Sequence, residues 1–324
     1  MTGKTNLIAT TTLGKNGPVV GVQGLGCMGM SEFYGASDDA ESLATLEHAL
    51  DMGINLIDTA DMYGIGRNEE LIGKVVRARR DQMCIATKFG IVRRADKPHY
   101  FGVNNRPEYI REAVEASLRR LGIDVIDLYY MHRRDPAVPL ADSVGAMADL
   151  VRSGKVRYLG LSEVTADELF EANAVHPIVA LQSEWSLFSR DVEVSVVPMA
   201  AKLGIAFVAY SPLGRGMLTE MAPAYGDGDF RSTRPRFTGE NGAANARLVA
   251  QIRALAIKRG VTVGQVALAW VHQRATVHGL TVVPIPGTRK RSRLEENARA
   301  ATLVLSAAEL AVLEPLAAAV LGDR

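Results

Sequence analysis

Cysteine is scarce in this chain of 324 residues: there are two, Cys27 and Cys84. Neither belongs to a CxxC pair or to a Cys/His group at metal-ligand spacing, so the sequence supports no disulfide framework and no metal site. Charge of one sign is not in excess either. Lys and Arg number 37, Asp and Glu 36, and the formal net charge is +1. That balance excludes the broad basic surface that nucleic acid or anionic lipid would require. No stretch approaches the roughly 18 apolar residues of a membrane span. The opening MTGKTNLIATTTLGKNG has no continuous apolar core of the secretory kind. Two thiols fit a reducing compartment. The expectation is a cytoplasmic protein acting on a small molecule, with no nucleic-acid or membrane partner and with oligomerisation left open.

What the chain does have is apolar content, 48% of its residues, and a repeated rhythm. Eight short apolar runs read as buried strands: 22–27, 55–58, 83–88, 125–131, 156–162, 179–184, 206–210 and 282–285. Amphipathic runs lie between them. A helix capped at Ser37-Asp38 runs to Met52, another opens at Arg106-Pro107 and runs to Leu121, and others cover 140–153 and 194–203. Thr165 and Glu168 form a capping box for a helix through Asn173. Gly53, Gly122, Gly154 and Gly204 each stand where a helix stops before a strand. The pattern predicts a single α/β domain over 1–324, a closed (β/α)8 TIM barrel. An N-terminal β-hairpin over 7–13 and 19–22 turns at Asn16-Gly17, and an extra C-terminal helix lies within 306–321. Segment 214–245, rich in Gly, Pro, Asp and Arg, is longer than an ordinary connection and reads as a functional loop over a site.

One motif points elsewhere. Gly24-Leu25-Gly26-Cys27-Met28-Gly29 matches G-x-G-x-x-G, the fingerprint of an open dinucleotide-binding sheet. That fingerprint needs a helix to begin at once, so that its N-terminus meets a pyrophosphate. Here the first cap comes only at Ser37-Asp38. The run therefore reads as a strand end where backbone approaches something closely.

The chemistry concentrates at strand ends. Asp58 ends one apolar run, Lys88 the next and His132 the one after, while Tyr63 follows Asp58 by five residues. In a barrel the C-terminal ends of parallel strands share one face, where catalytic groups sit. A buried carboxylate or ammonium is costly unless paired. A phenol is a weak acid near neutral pH, and a neighbouring ammonium is expected to lower the Tyr63 pKa so that it can protonate a carbonyl oxygen. His132 would donate a second hydrogen bond to that oxygen. Near the C-terminus, Gly287, Thr288, Arg289 and Arg293 surround the entry to the last helix. Exposed backbone N–H groups, a helix start and two arginines make a site for a phosphate monoester, which favours NADPH over NADH. Phe33, Tyr34, Phe89 and Trp185 fall in or near strand-end loops and are the candidate lining of an apolar substrate pocket.

These stretches together resemble the aldo-keto reductases. The matching segments are Gly24-Leu-Gly-Cys-Met-Gly-Met-Ser31, Asn55-Leu-Ile-Asp58-Thr-Ala-Asp-Met-Tyr63-Gly, Thr87-Lys88-Phe-Gly, Asp127-Leu-Tyr-Tyr-Met-His132, Gly154-Lys-Val-Arg-Tyr-Leu-Gly-Leu-Ser162, Tyr210-Ser-Pro-Leu-Gly-Arg-Gly216 and Ile285-Pro-Gly-Thr-Arg-Lys-Arg-Ser-Arg-Leu-Glu-Glu-Asn297. The likeness is nearest to the pyridoxal-reductase-like and aryl-alcohol-dehydrogenase-like branch. It implies a catalytic tetrad at Asp58, Tyr63, Lys88 and His132 and NADPH as cofactor for reducing aldehydes or ketones. It implies that Tyr210 stacks on the nicotinamide while Ser162 and Gln182 hold its carboxamide, with Cys27, Met28 and Asp58 close by. Ser211, Leu213 and Gly216 would line the pyrophosphate, and Glu296 and Asn297 would meet the adenine. Glu163 departs from the family, which often has Asn there. The competing expectations are an NADPH-binding regulatory subunit with weak turnover, and a cofactor-independent barrel isomerase.

Overall fold

The computed structural model describes residues 8–220 and 229–323, with only the backbone described at 98 and 99. Leu7 of the expected hairpin, and residues 221–228 of the expected loop, lie outside the described residues. The chain first forms a hairpin, β1 (Thr10–Thr12) and β2 (Val19–Gly21), then β3 (Leu25–Gly26), α1 (Asp39–Asp51), β4 (Leu56–Asp58), α2 (Arg67–Arg79) and β5 (Cys84–Phe89). A second hairpin, β6 (Ile91–Arg94) and β7 (Lys97–Val103), precedes α3 (Pro107–Leu121). Then come β8 (Ile126–Met131), α4 (Leu140–Arg152), β9 (Val156–Ser162), α5 (Ala166–Val175), β10 (Ile178–Glu184), α6 (Val196–Leu203) and β11 (Ala206–Tyr210). The chain ends with α7 (Gly239–Arg259), α8 (Val263–His278), β12 (Val282–Pro284), α9 (Arg291–Arg299) and α10 (Ala307–Leu313).

Eight of the strands form one parallel sheet in the order β12-β11-β10-β9-β8-β5-β4-β3. Its two edges meet. Gly24 N–H donates to Pro284 O at 3.0 Å, and Gly26 bridges Gly287 in parallel. This closure explains the G-x-G-x-x-G run. A Cβ on Gly24 would come within 2.9 Å of Ile285 and of Leu56 O, and one on Gly26 within 2.9 Å of Ile285 O. The glycines seal a barrel, and only a short 310 turn over Met28–Met30 follows them.

Period-two alternation sorts each strand into two faces. The inward face is filled by Leu56, Cys84, Ala86, Leu128, Tyr130, Ala206, Val208, Val283 and Ile285. Leu13 and Val20 of the first hairpin plug the lower end of this interior. The outward face packs on the helices, with Phe89, Tyr129, Trp185 and Phe207 in the larger cluster. Gly53, Gly122, Gly154 and Gly204 adopt φ of 89°, 69°, 76° and 71°, the left-handed stop expected at each helix end.

Several boundaries differ from expectation. The first hairpin turns over residues 14–17, closed by Leu13 N–H donating to Pro18 O, so Asn16-Gly17 lies in the turn as expected while the left-handed residue is Gly14, at φ 63°. The tip must fit beneath the barrel, where Lys15 N–H donates to Gly204 O at 3.0 Å. The expected 214–245 loop ends early, because α7 begins at Gly239. The C-terminal helix divides into α10 and a 310 segment, Glu314–Ala319, with Pro315 at the division.

Candidate active site

Continuing the inward alternation by one step brings every strand to its mouth residue. β4 ends in Asp58, β5 presents Lys88, and His132 follows β8; β9, β10 and β11 end in Ser162, Glu184 and Tyr210. Lys88 is 0% and Asp58 3% exposed. The ammonium donates to Asp58 Oδ1 at 2.5 Å and to Thr59 O at 2.8 Å. The other carboxylate oxygen, Oδ2, accepts from Gln182 Nε2 at 2.7 Å. Tyr63 Oη lies 3.5 Å from Lys88 Nζ, and the Tyr63 and His132 rings stand edge to face with centroids 5.9 Å apart. The four expected catalytic side chains therefore converge.

Burial governs their protonation. It pushes the Tyr63 phenol well above its ordinary range, Asp58 adds to the rise, and Arg133 opposes it. The net direction is upward because burial outweighs any lowering by the neighbouring ammonium. Tyr63 consequently stays protonated, the form a proton donor needs. Burial also pushes Lys88 down, while Asp58 holds it up. His132 is driven well below 6.5 by burial, with Lys88 and Arg133 adding to the effect, so its imidazole is neutral. Its Nδ1 is buried and has no hydrogen-bond partner among the described residues.

Backbone strain marks the same face. Among the described residues, the non-glycine positions with positive φ are Phe33, Ile65, Glu163, Ser211 and Arg215. All lie in loops beyond the C-terminal ends of barrel strands. Such conformations cost about 1–3 kcal/mol each and persist where the surroundings over-determine them, commonly at functional sites. Glu163 Oε1 accepts from Glu184 N–H at 2.9 Å, which ties the loops after β9 and β10 together.

The expected cofactor residues are arranged around this mouth. Gln182 is buried and bonded to Asp58, Ser162 is buried opposite Gln182 in the β9–β10 register, and Tyr210 is half-buried at the rim. Cys27 is fully buried and tied through its backbone, its N–H donating to Asp58 O at 2.9 Å; Met28 packs against Tyr63. Ser211, Leu213 and Gly216 belong to a tight turn after β11, with a 310 segment over Gly214–Gly216. Gly287 and Thr288 precede α9, whose first turn has no acidic residue. Arg293 is exposed there without a carboxylate partner among the described residues. Arg289 instead donates to Tyr34 O at 3.0 Å and Gly35 O at 3.2 Å, and Arg291 pairs with Glu41 at 3.1 Å. Glu296 accepts from Thr262 Oγ1 at 2.7 Å, and Asn297 is buried. The turn after β11 and the start of α9 thus offer backbone N–H groups, and Arg293 a guanidinium unpaired among the described residues, of the chemistry that binds phosphate.

The substrate lining divides. Phe33 packs on Tyr63, and both Phe33 and Tyr34 stand edge-on to Phe230, with centroids 6.2 and 5.5 Å apart. Phe89 and Trp185 do not join them. Phe89 is fully buried against Tyr129, and Trp185 against Phe207 with its Nε1 donating to Glu193 at 2.9 Å. Each directly follows an inward residue, Lys88 or Glu184, and so must face the helices. Sequence reasoning missed Arg133, Glu184 and Arg215. Arg215 Nη2 meets the buried Glu184 at 3.0 Å, an inward position that the alternation of β10 would have revealed.

Comparison with known proteins agrees with this geometry. A glycerol dehydrogenase from Gluconobacter oxydans is 29% identical, covering 97% of each chain with a TM-score of 0.86. A thermostable aldo-keto reductase, solved with the inhibitor epalrestat, is 30% identical over 95% of this chain and 100% of its own, with a TM-score of 0.77. An aldo/keto reductase from Klebsiella pneumoniae, solved with NADP and acetate, is 28% identical over 94% and 95%, with a TM-score of 0.71. The model of the aldo/keto reductase family matches residues 24–318, and the chain belongs to that family.

Proposed function

We propose that the protein reduces aldehydes or ketones to alcohols with NADPH, with Tyr63 as the proton donor. A bound nicotinamide supplies the hydride. Tyr210 offers a ring face at the rim to hold it, Ser162 and Gln182 offer polar atoms for its carboxamide, and Arg293 with Thr288 offers donors for a 2′-phosphate. Substrate enters beneath Phe33 and Tyr34, with its carbonyl oxygen between Tyr63 Oη and the His132 ring. Tyr63 gives up its proton as that oxygen gains charge, and Lys88 then stabilises the phenolate. Asp58 keeps Lys88 charged in a site where burial disfavours the ammonium. Neutral His132 donates a hydrogen bond without competing for the proton.

The observation carrying this reading is the buried 2.5 Å Asp58–Lys88 pair set 3.5 Å from the Tyr63 hydroxyl. A structural ion pair alone needs no phenol beside it. Purified protein should oxidise NADPH in the presence of 4-nitrobenzaldehyde or methylglyoxal. Tight NADPH binding without turnover across a broad carbonyl panel would instead indicate a regulatory subunit.

A further inference from the structure

We infer that Arg133 anchors a substrate anion, so that the preferred substrates are aldehydes or ketones carrying a carboxylate. This rests on the reductase reading above and names its substrate class. Arg133 directly follows His132 and is half-buried at the mouth. Its Nη1 donates to His132 O at 2.6 Å and to Ser162 Oγ at 3.2 Å, which fixes the guanidinium between the catalytic imidazole and the rim of β9. No carboxylate lies within ion-pair distance of it among the described residues.

The other arginines around the mouth are different. Arg93 is paired with Glu32, Arg215 with Glu184 and Arg231 with Asp229. The nearby carboxylates are occupied too: Asp58 holds Lys88 and Gln182, Glu163 accepts from Glu184 N–H, and Glu184 meets Arg215 and Ser189. A half-buried guanidinium without a counter-ion is costly unless a ligand supplies one. With Nη1 engaged, Nη2 and Nε make no hydrogen bond among the described residues. A planar fork of that kind matches a carboxylate with two parallel bonds. The positions offered to the cofactor's phosphates lie elsewhere, on the turn after β11 and at the start of α9. Met28, Phe33 and Ile91 pack against the cluster that contains Tyr63 and add apolar surface there.

The test compares matched substrates: 4-carboxybenzaldehyde against its methyl ester, and succinic semialdehyde against butanal. Wild-type protein should show higher kcat/KM for the acid of each pair. Arg133→Met should lower the acid-to-neutral ratio by about 10- to 100-fold, the factor for one charge-assisted hydrogen bond. Arg133→Lys should recover part of it, since it keeps the charge but not the fork. Melting temperatures of both variants check that they fold. A wild-type enzyme that reduces acid and ester equally well overturns the anchor and leaves the reductase reading standing. An Arg133→Met loss that falls equally on both members of a pair, or only on KM for NADPH, also overturns it. Failure to reduce any of the four compounds would remove the reductase reading and this inference with it.

Discussion

Replacing Asp58 by Asn keeps the shape of the side chain and removes the carboxylate charge paired with Lys88. The ammonium is 0% exposed, and its other contacts are neutral: the Thr59 carbonyl at 2.8 Å and the Tyr63 hydroxyl at 3.5 Å. Removing one partner of a buried pair typically costs about 3–5 kcal/mol. A second route gives a similar size. If Lys88 sheds its proton instead, bringing a lysine from a pKa of about 10.4 to neutrality at pH 7 costs about 1.4 kcal/mol per unit, or about 4.6 kcal/mol. The sign of the pH dependence follows. In the variant the folded chain carries a neutral Lys88 while the unfolded chain still binds that proton. Stability of Asp58→Asn should therefore rise with pH by up to about 1.4 kcal/mol per unit between about pH 7 and 10. Urea denaturation of both proteins at several pH values measures the difference. A penalty below about 1 kcal/mol that stays flat over that range would refute the claim that Lys88 is a buried ammonium dependent on Asp58.

Arg293→Ala should weaken NADPH by about 10- to 100-fold and NADH far less; an equal loss for the two, by titration of cofactor fluorescence, would remove Arg293 from the phosphate site. Because burial drives His132 well below 6.5, kcat/KM should show no ionisation near 6.5 that belongs to it. A break in the pH profile near that value that disappears in His132→Gln would contradict a neutral imidazole.

Much of the fold was legible because buried parallel strands read as apolar runs. Strands 156–162 and 206–210 occupy the residues expected of them. The tetrad was legible for a related reason: a charged or polar residue closing an apolar run needs a partner, and three consecutive strands ended that way. The direction of side chains was harder to read. Phe89 and Trp185 adjoin functional residues in sequence, and a pleat turns that adjacency into opposite faces. The β6–β7 hairpin went unread because it is solvent-facing, with Tyr100 45% and Phe101 53% exposed, and so carries no alternation toward a core. Arg289 was expected at the phosphate from its place at the entry to the last helix; in the structure its Nη atoms donate to backbone carbonyls of the neighbouring loop. Nothing local to Arg289 encodes that contact, since the two segments are more than 250 residues apart.

The account turns on one proton. Tyr63→Phe removes the hydroxyl next to Lys88 and leaves the ring, the Asp58–Lys88 pair and the offered cofactor contacts in place. Single-turnover hydride transfer to 4-nitrobenzaldehyde with pre-bound NADPH should slow by about 10²- to 10⁴-fold, the contribution of a positioned general acid, while the Kd for NADPH stays nearly constant. A rate within a few-fold of the wild type would show that the proton comes from elsewhere.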